Sequence, residues 1–384
     1  MNSISIIVPI YKGKQYINDL MDILEKNSKN LNSTAKIELI FVNDYPEEDI
    51  EINSICKKID VKVYNSKVNR GIHGARVFGL KHANGKYVVF LDQDDKISED
   101  YLQKQLSKIL ENDFVVCNAY IDSYYADGVL KKYCSEEEQV DKIKFENFIK
   151  GQNQIVSPGQ VLLKKEAISD VWINNIMKNN GADDYLLWLT LFSANKKCAI
   201  NYECLYTHIE HGNNTSLDIE AMNKSLSEMV GIVERNNVFE PTVIGSLKNG
   251  IERTIYLNRL SKVVKIYDNW MYLKNRGKCV RNYLDERNIH YVAVYGMNKL
   301  GNRLVDELKM SGINVICGID RRGSGMIRNV PIVKIDDDIF EYLEKIQMVI
   351  VTAETYFDEI KQAILLKKQI PVVSFSSIIS ELLN

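Results

Sequence analysis

Hydrophobic positions come in three patterns along the chain, and each predicts a different kind of element. Apolar runs at 4–10 and 36–42 predict buried strands, and further strands are expected at 61–65 and 87–91. Between them, apolar residues at helical spacing over 16–24 and 74–83 predict helices, so the first region reads as strand, helix, strand, repeated. Such alternation implies a mostly parallel sheet whose ligand site lies outside the carboxyl ends of its strands. From 217 to 285 no strand run occurs. There Ile251, Ile255, Leu257, Leu260, Val263, Val264 and Tyr267 recur at spacings of three and four, which predicts helices packed on a neighbour. Beyond 289 the alternation returns, with strands at 291–295, 314–319, 348–351 and 372–375 and a helix at 300–310. The chain thus divides into an α/β region at 1–216, a helical region at 217–288 and a second α/β region at 289–384.

Composition narrows the function classes. The chain has 384 residues and a net charge of -2, which offers no overall field to a polyanion and argues against nucleic acid as a partner. The opening MNSISIIVPIYKGK has no basic segment followed by a long apolar core, and no apolar run approaches a membrane span, so a cytoplasmic location is expected. Seven cysteines without a CxxC pair fit small core residues better than a disulfide framework or a thiolate zinc site.

Acidic residues cluster where the alternation places strand ends. In FLDQDD, Asp92, Asp94 and Asp95 follow the strand at 87–91. Carboxylates packed this closely repel unless a cation intervenes, and a hard divalent ion, Mn²⁺ or Mg²⁺, suits their oxygen ligands. The alternative is a solvated turn capping the next helix. In GADDYLLWLTLF, Asp183 and Asp184 open an apolar helical run. They suit a helix cap, or a general base for an acceptor hydroxyl beside aromatic residues walling a cleft. In YTHIEHGNNTS, His208 and His211 stand three apart on a loop after a strand, a spacing that suits a metal or nothing specific.

Taken in order, these pieces resemble the family 2 glycosyltransferases, inverting enzymes of the GT-A fold. SIIVPIYKG looks like the opening strand and loop of that family, FVNDYPEED like its nucleotide-binding strand end, and NRGIHGARVFGLKHANGKYVVFLDQDD like its central signature ending in DxD. SPGQVLLKKEAI and GADDYLLWL are similar to the strand, helix and acidic motif on the acceptor side. The resemblance implies that Pro9 and Tyr11 lie beside base and ribose, that Asp44 takes the pyrimidine edge, and that Asn69 and Arg76 lie near the diphosphate. It implies further that Asp92 faces the ribose and Asp94 holds the metal. Asp184 would be the catalytic base with Asp183 orienting it, and His211, or His208, would help hold metal or diphosphate. Asn43, Tyr45-Pro46 and Val77 depart from the family pattern, which leaves the donor base and sugar open. The implied function is transfer of a sugar from a nucleotide diphosphate to a saccharide or lipid-linked acceptor in bacterial surface polysaccharide synthesis. A nucleotidyltransferase and a non-catalytic sugar-nucleotide binder are the competing readings.

Downstream, VAVYGMNKLGNRLVDEL places Gly296 and Gly301 between a strand and a helix, with Asp320 ending the next strand, as in Rossmann-like domains. Asn298 stands where a middle glycine would let a pyrophosphate approach, which favours a structural or interaction module. In the helical region, Lys262, Lys265, Trp270, Tyr272, Lys274 and Arg276 suit either a plain solvated helix face or peripheral contact with an anionic lipid surface, and the same region is a candidate for shaping the acceptor cleft or bringing protomers together.

Overall fold

The computed structural model describes residues 3–31, 35–52, 58–123, 129–210, 218–321, 323, 325–335 and 339–383. They fall into two compact units, Met1–Leu257 and Asn258–Asn384.

Among the described residues of the first unit, one sheet contains β1 (Ser3–Ile10), β2 (Lys36–Asn43), β3 (Ile59–Asn65), β4 (Tyr87–Phe90), β5 (Lys96–Ile97), β6 (Phe114–Ser123), β7 (Lys131–Lys132), β8 (Val161–Lys164) and β9 (Cys198–Glu210). Their order is β3-β2-β1-β4-β8-β6-β9-β5, with β7 beside β6. The first four are parallel, but β8 runs antiparallel to both β4 and β6, so the sheet is mixed rather than mostly parallel. Alternation of elements tells which strands exist and not which way a four-residue strand such as β8 enters.

The runs at the first strands are unbroken because both faces of the sheet are covered. Ile4, Ile6, Val8 and Ile10 of β1 enter one core with Leu20, Leu24 and Phe41. Ile7 faces the other, with Val42, Phe90, Trp172 and Trp188. The Gly71–His82 helix lies on this second face, and it lies close: a Cβ on Gly79 would stand 2.4 Å from the Ile7 side chain. That approach seats the helix carrying Arg76 over the sheet.

The predicted helical residues form the Ile219–Arg235 and Pro241–Asn275 helices, and their apolar positions are divided between the two units. Met229, Val233, Leu247 and Ile251 join the first core, while Ile266, Trp270 and Leu273 join that of the second. Leu257, Leu260 and Val264 do not pack on a neighbour as the spacing predicts; they are half exposed. The long helix meets the first unit backbone to backbone, since a Cβ on Gly250 would lie 2.2 Å from the Lys150 carbonyl carbon. Gly250→Ala is therefore expected to destabilise the first unit by about 2–3 kcal/mol in denaturant unfolding. Gly245→Ala on the same helix, with open space around it, should be neutral or stabilising by up to about 1 kcal/mol. Equal effects of the two would remove the steric explanation.

The second unit orders β10 (Tyr291–Tyr295), β11 (Asn314–Ile319), β12 (Gly325–Ile327), β13 (Val330–Val333), β14 (Met348–Val351) and β15 (Val372–Ser374) as β12-β13-β11-β10-β14-β15. All pairs are parallel except the β12–β13 hairpin, which the sequence pattern does not announce. At the Gly296 turn the Asn298 side chain caps the Lys299–Met310 helix, accepting from Gly301 N at 3.0 Å. Among the described residues, no helix is long and apolar enough to cross a membrane.

Candidate active site

The ends of β1, β2 and β4 carry the residues singled out in the sequence. β2 closes with Asn43, whose amide donates to Asn65 Oδ1 at 2.9 Å and to the Glu48 carbonyl at 2.6 Å, tying that end to β3 and to the loop beyond. Asp44 follows, almost fully buried, and its Oδ1 accepts from Arg70 N at 2.7 Å. Burial pushes this carboxyl above its ordinary value, against the bonds from the Arg70 and Gly71 amides. Asn69 completes the turn by accepting from Gly71 N at 2.9 Å.

Past the end of β1, beyond Pro9, Tyr11 is exposed. It meets Tyr45 edge to face at 5.5 Å, with Lys12 Nζ 5.1 Å from the Tyr45 ring centre. Gln93 pins this loop to the end of β4, accepting from Tyr11 N at 2.9 Å and donating to the Tyr11 carbonyl at 3.2 Å.

The three acids after β4 do different work. Asp92 accepts from Arg76 Nη2 at 2.5 Å and from Ser157 Oγ at 2.9 Å. Asp95 is buried and accepts from the Tyr206 hydroxyl, from Ile209 N at 2.8 Å and from His208, whose Nδ1 lies 3.1 Å away. His208 is thus a residue of β9 and not of a loop after it, because β9 runs to Glu210 and pairs with both β5 and β6. Burial opposes a charge on this ring. The Asp95 hydrogen bond and the charges of Asp95, Asp92 and Asp94 outweigh it, so the His208 pKa stands above its ordinary value. Asp94 is partly buried between its two neighbours. His211 lies outside the described residues. Among those described, no three His, Cys, Asp or Glu side chains stand together in a metal-holding group.

Arg76 joins the two acidic motifs. It is 3% exposed, and it donates Nη1 to Asp183 at 2.7 Å and Nη2 to Asp92 at 2.5 Å. The resemblance sets this side chain near a diphosphate, yet both terminal nitrogens bond carboxylates within the protein. Burial works against its charge, but Asp183, Asp92 and Asp184 hold it protonated well above its ordinary range. Asp183 opens the Asp183–Ser193 helix without capping it; the cap position is Ala182, with no side-chain cap bond.

Asp184 sits next along. Its Oδ1 accepts from Tyr185 N at 2.6 Å and its Oδ2 from Asn153 Nδ2 at 3.2 Å. Burial first, and the Asp183 charge second, push its carboxyl up to about 7, while Arg76 and the two hydrogen bonds pull the other way. A carboxylate tuned to that range can accept a proton from a hydroxyl near neutral pH. The aromatic residues beyond it do not wall a cleft. Tyr185 and Trp188 are buried in the core, and the Tyr185 hydroxyl donates to the Phe148 carbonyl.

Several supporting residues carry no spacing signal in the sequence. His73 Nδ1 accepts from Met177 N at 3.0 Å, so Nε2 holds the proton and donates to the Trp172 carbonyl at 3.1 Å; burial pushes the ring pKa down and keeps it neutral. Trp172 Nε1 in turn donates to the Asp183 carbonyl at 2.8 Å. Ser225 accepts from Ala182 N at 3.0 Å, and Glu228 from the Lys178 and Asn179 amides at 2.8 and 2.9 Å, so the Ile219–Arg235 helix holds the loop leading into Asp183. Among the described residues touching the acids, Ser157, in Ser-Pro-Gly, and Arg70, in Asn-Arg-Gly, lie in recognisable turn signals.

The sequence model of Glycosyl transferase family 2 matches residues 5–172. An uncharacterised glycosyltransferase of Haemophilus influenzae is 31% identical over 213 residues, which cover 54% of this chain and 77% of that one. The chain belongs to glycosyltransferase family 2. Another uncharacterised glycosyltransferase, from Rickettsia conorii, is 29% identical over 219 residues, 56% of this chain and 34% of its own length, so the present chain spans about a third of it. TuaG of Bacillus subtilis, a putative teichuronic acid biosynthesis glycosyltransferase, is 27% identical over 207 residues, 53% of this chain and 77% of TuaG. For a family 2 glycosyltransferase of GT-A fold, the division of the site is informative. The family segment holds Asp44, Asn69, Arg76, Asp92 and Asp94 but stops short of Asp183 and Asp184. Arg76 is the physical link between the two parts.

Proposed function

We propose that this chain transfers a sugar from a nucleotide diphosphate, a UDP-sugar, to a hydroxyl of a saccharide or lipid-linked acceptor, with inversion at the anomeric carbon. The observation that carries the reading is the Asp92–Arg76–Asp183 bridge, which draws the strand-end acids and the acids of the Asp183–Ser193 helix into one site. Asp44 would accept from the pyrimidine edge, and Tyr11 and Pro9 would flank base and ribose. Asp184 would take the acceptor proton as the hydroxyl oxygen attacks from the face opposite the departing diphosphate. Arg76 would hold Asp92 and Asp183 in place beside the departing diphosphate. The teichuronic acid role in the TuaG name supports an acceptor in bacterial surface polysaccharide.

A hard divalent ion would be held through Asp94, whose carboxylate supplies the oxygen donor such an ion prefers, with His211, by the resemblance, as a second ligand. Asp95 is not one of them, since Tyr206, Ile209 and His208 take up its oxygens. When bound, Mn²⁺ or Mg²⁺ would offset the charge that develops on the leaving diphosphate.

The test is incubation of the full chain with Mn²⁺ and a panel of sugar nucleotides, reading nucleoside diphosphate release. Slow release by the parent protein is expected, and Asp94→Ala should lower it about a hundredfold or more while weakening its dependence on metal. Pyrophosphate release instead would favour a nucleotidyltransferase. Stabilisation against heat with no turnover of any donor would favour a non-catalytic binder.

A further inference from the structure

The Pro241–Asn275 helix turns Ile266, Trp270 and Leu273 into the core of the second unit. A neighbouring face of the helix is apolar and exposed: Leu260 is 46% exposed, Val264 58% and Met271 54%. With Tyr267, which is partly buried against the second core, they follow one another at spacings of four, three and four, which is the seam of a helix that packs on another helix. Next to the seam, Met310 is 89% exposed at the end of the Lys299–Met310 helix, and it lines with Tyr267, Trp270, Met271 and Lys274 a cavity of about 610 Å³. We propose that this face pairs with the same face of a second copy of the chain, giving a twofold dimer built on the second unit.

Three features select that occupant. A twofold interface needs projections and a hollow on one surface, and here exposed Met310 forms part of the cavity wall while Leu260 and Val264 project about two to three turns back along the helix from the lining residue Met271. In an antiparallel pairing the spacing sets Leu260 against Met271 and Val264 against Tyr267 in both directions, so every seam position meets an apolar partner. Leu260, Val264, Met271 and Met310 together expose on the order of 450–500 Å² per copy, so a pair that covers them all reaches about 1,000 Å², the lower bound of a specific interface. At the rim Lys274 pairs with Glu307 at 3.0 Å, and Arg303, at 3.6 Å, and Arg328 share Asp306, so two of the four cations lining the cavity are offset and an anionic lipid surface is the competing occupant that the test distinguishes. The inference is independent of the transferase reading, since it uses no residue of that site.

Light scattering coupled to gel filtration of the full chain tests it. At about 50 μM the mass should be twice the 44.1 kDa of one chain. Leu260→Arg combined with Val264→Arg should return it to 44.1 kDa, weakening association at least about a hundredfold with the melting temperature nearly unchanged. Leu366→Arg, at an 88% exposed position elsewhere on the second unit, should leave the dimer intact. A parent protein that stays monomeric at that concentration, or a double variant that still dimerises, overturns the proposal. So does a monomer that floats with phosphatidylglycerol vesicles and loses this on Leu260→Arg/Val264→Arg, which would make the face a membrane contact.

Discussion

Asp184→Asn should lower sugar transfer about a thousandfold while leaving donor affinity within a few-fold of the parent. Asparagine keeps nearly the same volume and can still accept the 2.6 Å bond from Tyr185 N, so the start of the helix is preserved. It cannot take a proton from a hydroxyl. The pH profile supplies a second readout. With Asp184 pushed up to about 7, kcat/KM should fall as pH drops below about 7, because the base becomes protonated. Asp183→Asn removes the like charge that helps raise Asp184, so the acidic limb should move to lower pH in that variant. Initial rates between about pH 5 and 9 for the parent and both variants decide the matter. Transfer by Asp184→Asn at the parent rate, or a limb that moves upward in Asp183→Asn, would mean that another group accepts the proton.

What the sequence makes legible follows from which physical signals are local. β1 and β2 are buried on both faces, so their residues form runs that can be read without partners. The rest of the parallel half, and the β10, β11, β14 and β15 strands of the second unit, are recovered from short apolar or β-branched runs alternating with helical spacing, although β3 is mostly only partly buried. The direction of β8 depends on where β4 and β6 lie, and no residue in Val161–Lys164 encodes that. The long helix misleads for the opposite reason. Apolar residues cover both its inner and outer faces at 260–273, so spacing alone cannot say which set is buried.

At the site, sequence reasoning finds the acids but not their division of labour. Asp92, Asp94 and Asp95 look alike in FLDQDD, yet Asp95 is committed to Tyr206, His208 and Ile209, which lie more than a hundred positions downstream. Asp183 passes for a helix cap until Arg76 is seen to reach it. The selectors are Arg76 for Asp92 and Asp183, Asn153 for Asp184 and Ser157 for Asp92. None of these pairings is encoded by a period in the sequence, and only folding gives each residue its partner. The same holds for Asn43, a departure from the family pattern that the structure accounts for. Its amide can donate to both Asn65 Oδ1 and the Glu48 carbonyl, which a carboxylate could not do.

The largest loss of stability is expected from Arg76. In Arg76→Met the side-chain volume is roughly kept, but Asp183, 1% exposed, and Asp92 lose the cation between them. Removing one partner of a buried ion pair costs about 3–5 kcal/mol, because the remaining charge is left without compensation. For a unit of this size the melting temperature should fall by about 10 °C. Arg76→Lys keeps a charge but offers one ammonium where two carboxylates need a fork, so it should recover only part of the loss. The pH dependence has a definite sign. Arg76 lowers the pKa of Asp184, and without it the folded-state value rises further above the unfolded one. Ionising such a group costs stability at pH above its unfolded value, so the deficit relative to the parent should shrink as pH falls from about 8 to 5. Arg76→Met combined with Asp183→Asn removes both members of the more deeply buried pair and should be more stable than Arg76→Met alone, the non-additivity expected of groups in direct contact. Thermal and denaturant unfolding of the four proteins measures all of this. If Arg76→Met proves as stable as the parent, or the second substitution restores nothing, the guanidinium does not hold the two acidic motifs together, and the convergence on which the proposed chemistry rests must come from elsewhere in the fold.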